Sequence, residues 1–395
     1  MLRTAKILLA AAIIGATAYC FSAEAAQGEQ TDRNGAEITA PGRSRYVSGG
    51  FEAQIFFDSV VGFQSFSRDP ITEVADDGSY AGVLGEYIPQ PPPGQDIFGV
   101  YVPKLEIDIM KRISDVARLR ADISFGRTAS GSYVGPMALN HAYAAVKLSH
   151  DYNVELLLGR FGGQAGYEPF RAYHNDTVSW SIMWRGSLYP PGMTGVQLSA
   201  DLTNTMSAFF VVSNGNINDS SFLRGTLPSF LVTLEWTWGP EARPNQLVFT
   251  PWFGPESGGN RPFTYGADVT YVYWLTERLK LGLEACYQRN NAVDGSLLPA
   301  EDTDYASGLM NLRWDITPSW YGVIKYVFAR QFGVGNGVQN LTGAKQNIHE
   351  ASLGFGYQMT DSSKVKGEFR FDAVDPDSGR TQTIPGAAVE YAWYF

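Results

Sequence analysis

His174 and Asp176 lie two residues apart in a stretch that also holds Glu168, Arg171 and Arg185. A histidine near a carboxylate is the pairing with which a hydrolase activates a nucleophile, and His174, in a long connection near Asp176, is the candidate to test. The others offer less. His150 sits at a turn, His349 shares parity with the apolar Ala351 and Leu353, and His141 has no partner evident in sequence. Closeness along the chain does not make catalytic geometry, so a polar loop histidine is the plainer reading of His174. Neither an H-E-x-x-H zinc spacing nor a G-x-x-x-x-G-K-[ST] phosphate loop occurs. The acidic residues Asp76, Asp77, Asp294, Glu301, Asp302, Asp304, Asp375 and Asp377 match no EF-hand spacing, which favours solvated loops over divalent-cation sites. No metal and no cofactor are expected.

The remaining charged residues show a regular pattern. Arg118, Arg120, Asp122 and Ser124 alternate with Ala117, Leu119, Ala121, Ile123 and Phe125, and Lys366, Glu368 and Arg370 alternate with Val365, Phe369 and Phe371. Successive side chains of a strand point to opposite faces, so this period of two reads as β-strand with one polar and one apolar face. Sixteen such segments are predicted: 51–66, 101–110, 117–126, 138–149, 153–161, 193–202, 205–213, 229–238, 245–253, 264–275, 279–289, 304–315, 320–329, 348–358, 364–373 and 384–395. Thr177–Trp184 is strand-like in composition. Counting it would break both the even strand number and the alternation of short turns (276–278, 316–319, 359–363) with long loops (67–97, 290–303, 330–347), so it is assigned to one long connection.

Composition limits what such strands can build. Among 395 residues, 44% are hydrophobic and 18% charged, with 42 Gly and only 2 Cys, which excludes a disordered chain and a disulfide scaffold. A mean hydropathy of -0.15, with no long apolar run beyond residue 25, excludes a helical membrane protein. Arg3 and Lys6 before the apolar stretch 7–18, then Ala23-Glu24-Ala25, form a secretory signal peptide over residues 1–25. Its removal takes two basic residues and one acidic, moving the net charge from -10 to -11 and disfavouring nucleic acid. Residues 26–49 then read as a short periplasmic segment and 50–395 as the folded domain.

A soluble sandwich also alternates, but the C-terminus argues for a membrane. Tyr391, Trp393 and Phe395 share one face of the last strand, an exposed edge that would be sticky in water. This ending resembles the aromatic assembly signal of bacterial outer-membrane barrels. A further resemblance lies in Gly159-Arg160-Phe161, Gly166-Tyr167-Glu168, Asn175, Gly195 and Asn214-Gly215, which look like the middle section of the OmpL-like β-barrel porins. It implies a porin of that kind and carries no substrate or binding residues with it.

The expectation is therefore an all-β, transmembrane antiparallel barrel of about 16 strands in the outer membrane, passing small hydrophilic solutes through an aqueous lumen. Arg118, Arg120, Lys147, Arg313, Lys325, Lys366 and Arg370 would line that lumen. The third outer loop, residues 162–192, would fold inward: Trp180, Ile182 and Trp184 would rest on the wall, and Glu168, Arg171, His174, Asp176 and Arg185 would form the constriction. Expected partners are outer-membrane lipids, the barrel assembly machinery and the solutes, with a homotrimer by analogy to porins of this size. The alternatives are a barrel enzyme hydrolysing lipid or peptide, and a surface adhesin.

Overall fold

The computed structural model describes residues 46–48, 51–65, 96–126, 138–162, 165–168, 174–179, 181–185, 192–214, 228–255, 263–290, 303–332, 346–377 and 381–394. After the short strand β1 (Tyr46–Ser48) come sixteen strands: β2 (Phe51–Ser65), β3 (Asp96–Arg112), β4 (Ala117–Gly126), β5 (Ala138–Ser149), β6 (Val154–Gly162), β7 (Gly192–Thr203), β8 (Met206–Asn214) and β9 (Pro228–Trp238), then β10 (Asn245–Pro255), β11 (Phe263–Trp274), β12 (Leu279–Asn290), β13 (Thr303–Asp315), β14 (Trp320–Gln331), β15 (Gln346–Thr360), β16 (Ser363–Pro376) and β17 (Gln382–Tyr394). Each pairs antiparallel with the next, and β17 pairs with β2 from Tyr394↔Phe56 to Gly386↔Gln64. The sheet is thus a closed barrel, in which each of the sixteen strands β2–β17 finds both neighbours and no edge is left in the apolar phase.

Alternation sets the two faces. On β14, Tyr321, Val323, Lys325 and Val327 point inward and are buried, while Trp320, Ile324 and Tyr326 point outward and are 40–52% exposed. Around the barrel the exposed outer positions are mostly Leu, Val, Phe, Tyr and Trp, an apolar band that lipid covers. Near the tight-turn end, the rings of Trp236, Trp238, Tyr271 and Tyr273 follow one another at 5.3–6.1 Å, and Trp320 lies tilted against Tyr357 at 4.5 Å, as an interfacial aromatic girdle does. Turns 113–116, 150–153, 204–205, 239–244, 275–278, 316–319 and 361–362 all lie at one end, and the longer connections all lie at the other.

The strand count matches the expectation, and most boundaries fall within two residues of it. Three findings differ. The last short turn is only 361–362, because β15 and β16 run further than their apolar faces suggest. β1, within the expected periplasmic segment, pairs Tyr46↔Ala53 beside the part of β2 that extends past the end of β17. The inner face is not polar throughout. Leu157, Phe161, Val211, Leu231, Trp252 and Val327 form part of an inward apolar cluster, since they are covered by protein and never meet the lumen water.

Candidate functional site

Ala165, Ile182 and Met183, of the connection 163–191 between β6 and β7, pack on that cluster. In a ring of sixteen strands, the position eight strands on from β6 and β7 is β14 and β15, directly across the barrel. At about 4.8 Å per strand and about 40° tilt, the backbone diameter is roughly 32 Å. A connection of some 29 residues reaches up to about 100 Å, enough to cross the lumen and return. The described parts of this connection bond the inner faces of β11 through β16.

The neck binds first. Gly166 N–H donates to Asp268 Oδ1 at 3.2 Å, and Tyr167 N–H donates to Glu284 Oε2 at 2.8 Å. Gly282, on the same inner face between Lys280 and Glu284, leaves the space for the Tyr167 ring, where a Cβ would collide with it.

Asp176 is the second anchor. Its Oδ1 accepts Arg313 Nη1 at 2.6 Å, and its Oδ2 accepts Lys280 Nζ at 3.2 Å, Asn311 Nδ2 at 3.0 Å and Tyr167 OH at 3.3 Å. Tyr321 OH donates to the Asp176 carbonyl at 3.1 Å. Burial by itself would raise this carboxyl's pKa, but Lys280, Arg313 and Lys364 outweigh it and hold the group well below the usual carboxylate range. Burial and then the Asp176 charge push the Tyr167 phenol up to about 12. Both groups therefore keep one protonation state across the physiological range.

The third anchor runs from Thr177 to Ile182. Lys325 Nζ, itself buried, donates to Glu168 Oε1 at 2.9 Å, Thr177 Oγ1 at 2.8 Å and the Ser179 carbonyl at 2.8 Å. Glu168 Oε2 in turn accepts Ser181 N–H at 2.8 Å, so Lys325 ties the neck to the far part of the loop. Lys366 Nζ donates to the Thr177 carbonyl at 2.8 Å, and Lys364 Nζ to the Asn175 carbonyl at 3.3 Å. Glu368 accepts Ser179 N–H at 2.7 Å, Glu350 accepts Ile182 N–H at 2.9 Å, and Arg370 donates to Ser179 Oγ at 2.8 Å while pairing with Glu350 and Asp372. A short helix, α1 (Ile182–Arg185), follows, and Ile182 and Met183 fill the inward apolar cluster.

Six cations on β12–β16 therefore face the loop, and the loop answers with two carboxylates and three carbonyls. Across the lumen the pairing is within the wall: Arg118 with Glu155 at 2.6 Å, Arg120 with Asp108 at 2.8 Å, and Lys147 opposite Glu155 in register. The side chain of Arg118 is 40% exposed, so this side keeps water contact.

Of the residues expected at a constriction, Glu168 and Asp176 are buried and bonded to the wall, because carboxylates in reach of six cations pair with them. His174 is exposed. Arg171, Trp180 and the side chains of Trp184 and Arg185 lie outside the described residues. The expected alternation over Thr177–Trp184 gives way to a turn and α1, with consecutive Ile182 and Met183 both buried and polar Thr177, Ser179 and Ser181 buried as well. Both carboxylate oxygens of Asp176 are engaged, Oδ1 by Arg313 and Oδ2 by Lys280, Asn311 and Tyr167. His141 accepts Gly162 N–H at 3.1 Å, and His349 contacts Tyr326 OH at 2.8 Å on the outer face. Lys325, Lys366, Glu368 and Arg370, on the polar parity of their strands, are buried on the inner face. Asn311, Tyr321 and Lys364 share that parity and were missed. The described end of the chain places Tyr391 and Trp393 outward, and Phe395 lies outside the described residues.

A family model described as "Putative beta-barrel porin-2, OmpL-like" matches residues 106–389. The chain belongs to this family. It is an integral outer-membrane porin. No curated protein matches it. Among solved structures, the outer membrane channel DcaP of Acinetobacter baumannii superposes with a TM-score of 0.59 at 13% identity, covering 90% of this porin and 100% of that chain. OmpF of Salmonella typhi gives 0.56 at 13%, covering 89% and 100%. OprB of Pseudomonas putida, in its high-pH structure, gives 0.52 at 10%, covering 87% and 94%. At these identities the likeness is one of fold.

Proposed function

We propose that the porin lets small hydrophilic solutes diffuse passively through a lumen narrowed by the connection 163–191. The carrying observation is that this connection leaves the wall at β6 and is bonded to β11–β16 across the barrel, so the path runs between the loop and the wall of β3–β6. A pore restricted in this way discriminates by size and by the charge on its rim. His174, Arg171 and Arg185 are the loop groups we assign to that rim, with Arg118, Arg120 and Lys147 as its wall groups.

In this reading residues 1–25 are a cleaved signal peptide, the barrel assembly machinery inserts the chain, and tight turns face the periplasm. A homotrimer is the oligomer we infer. One structure of similar fold, OmpT of Vibrio cholerae, is described in a trimer form, with a TM-score of 0.53 at 9% identity. Native mass spectrometry tests the trimer. Planar-bilayer conductance tests the pore: a variant lacking residues 171–185 should conduct more and, in liposome swelling, admit larger sugars. Equal conductance and equal size limits in a folded variant would remove the loop from this role, and a purified porin with no conductance but esterase or protease activity would replace the pore by an enzyme.

A further inference from the structure

We propose that Asp268 and Glu284 hold a single proton between them, and that this acid–carboxylate pair is a pH-sensitive latch on the neck of the loop. It rests on the reading that the loop narrows the path. Asp268 lies opposite Cys286, and Thr270 lies opposite Glu284, which makes the two acids diagonal neighbours on the inner face of β11 and β12. Both are buried, at 0% and 4% exposure. They accept the consecutive amides of Gly166 and Tyr167, so the accepting oxygens sit side by side. Asp268 Oδ1 also takes the Thr270 hydroxyl at 3.1 Å.

That leaves Asp268 Oδ2 and Glu284 Oε1 buried without a donor, on two carboxyls that are diagonal neighbours and hold consecutive amides. As two carboxylates neither has a proton to give. As one acid and one carboxylate, a single O–H satisfies both oxygens and removes the repulsion of two buried like charges. Five other buried acids of the wall and loop are in salt bridges: Glu350 and Asp372 with Arg370, Glu390 with Lys366, Glu168 with Lys325, and Asp176 with Arg313 and Lys280. Around the pair, β10 presents Thr250 and Trp252, β12 the thiol of Cys286, β13 Leu309 and Ser307, and the loop Glu168, which is paired with Lys325. When rising pH takes the proton, two carboxylates remain beneath Gly166 and Tyr167, and the neck lifts from the wall.

Infrared spectra and single-channel conductance of the whole porin, recorded across the same pH series, test this. Wild type should show the carbonyl band of a protonated carboxyl at neutral pH, lose it on alkaline titration, and gain conductance reversibly over the same interval. In Asp268→Asn, the amide N–H takes the place of the shared O–H, so the band should be absent and the conductance flat. No band in wild type, a band that survives Asp268→Asn, or a titrating band with unmoved conductance would each overturn the proposal. The variant lacking 171–185 keeps Gly166 and Tyr167. If its band titrates while it conducts like wild type at neutral pH, the constriction reading fails and the shared proton stands.

Discussion

Replacing Lys325 by Met should release the loop while leaving the barrel closed. Lys325 Nζ has three acceptors, Glu168 Oε1, Thr177 Oγ1 and the Ser179 carbonyl, at 2.8–2.9 Å, and its side chain is 3% exposed. Met fills the volume but bonds none of them. It strands the Glu168 carboxylate, 1% exposed, without its cation. Removing one partner of a buried pair costs about 3–5 kcal/mol, whereas removing both with groups of similar shape is near neutral. Because the strand ladder does not involve Nζ, the cost falls on docking, and about 3 kcal/mol shifts the docked-to-released ratio by a factor of roughly 100. Single-channel recording should show the single variant flickering or fixed at a higher conductance, with heat-modifiable migration unchanged. Lys325→Met combined with Glu168→Gln should return much of the wild-type conductance. A single variant that conducts like wild type, or a double variant worse than the single, would refute the assignment of Lys325 as the clamp.

Asp176→Asn should shift the reversal potential toward anions, because Lys280, Arg313 and Lys364 lose the charge that neutralises them; an unchanged reversal potential in a salt gradient would count against it. Gly282→Val should push the Tyr167 ring off β12 and raise conductance without lowering the yield of folded barrel, read from bilayers and from gel migration. Asp176 carries a depressed pKa, so its contribution to docking is complete above the free-carboxyl value near 3.8 and fades only as pH falls through the lower folded value; conductance should therefore hold steady from pH 7 down to about pH 4. Deleting Phe395, or changing it to Asp, should sharply reduce the heat-modifiable form in outer membranes, since β17 must close on β2, and normal assembly of both variants would be evidence against an aromatic signal.

The barrel was legible in sequence because a strand wall in lipid has only two environments, and period-two parity reports which one each residue meets. Arg118 and Arg120 on one face, Leu119 and Ala121 on the other, fix β4 to the residue. The loop was less legible. Its polar residues do not alternate for a sheet; they are spaced to meet cations that lie 104–191 residues away in sequence, as with Asp176 and Lys280 or Ser179 and Arg370. No local pattern carries such pairings. For the same reason Val211 and Leu231 look like breaks in a polar face until Ile182 and Met183 are seen to cover them.

The span of those pairings also orders the making of the protein. Ser179 meets Glu368 across 189 residues, and β2 meets β17 across nearly the whole chain. Contacts so distant form only after the intervening chain has been placed. The seat of the loop consists of side chains from β11 to β16, so it does not exist until the C-terminal third of the wall stands. A barrel halted before its last strands join would hold an untethered loop and a wide lumen, and seating of the loop therefore reports, inside the pore, that the wall has been completed.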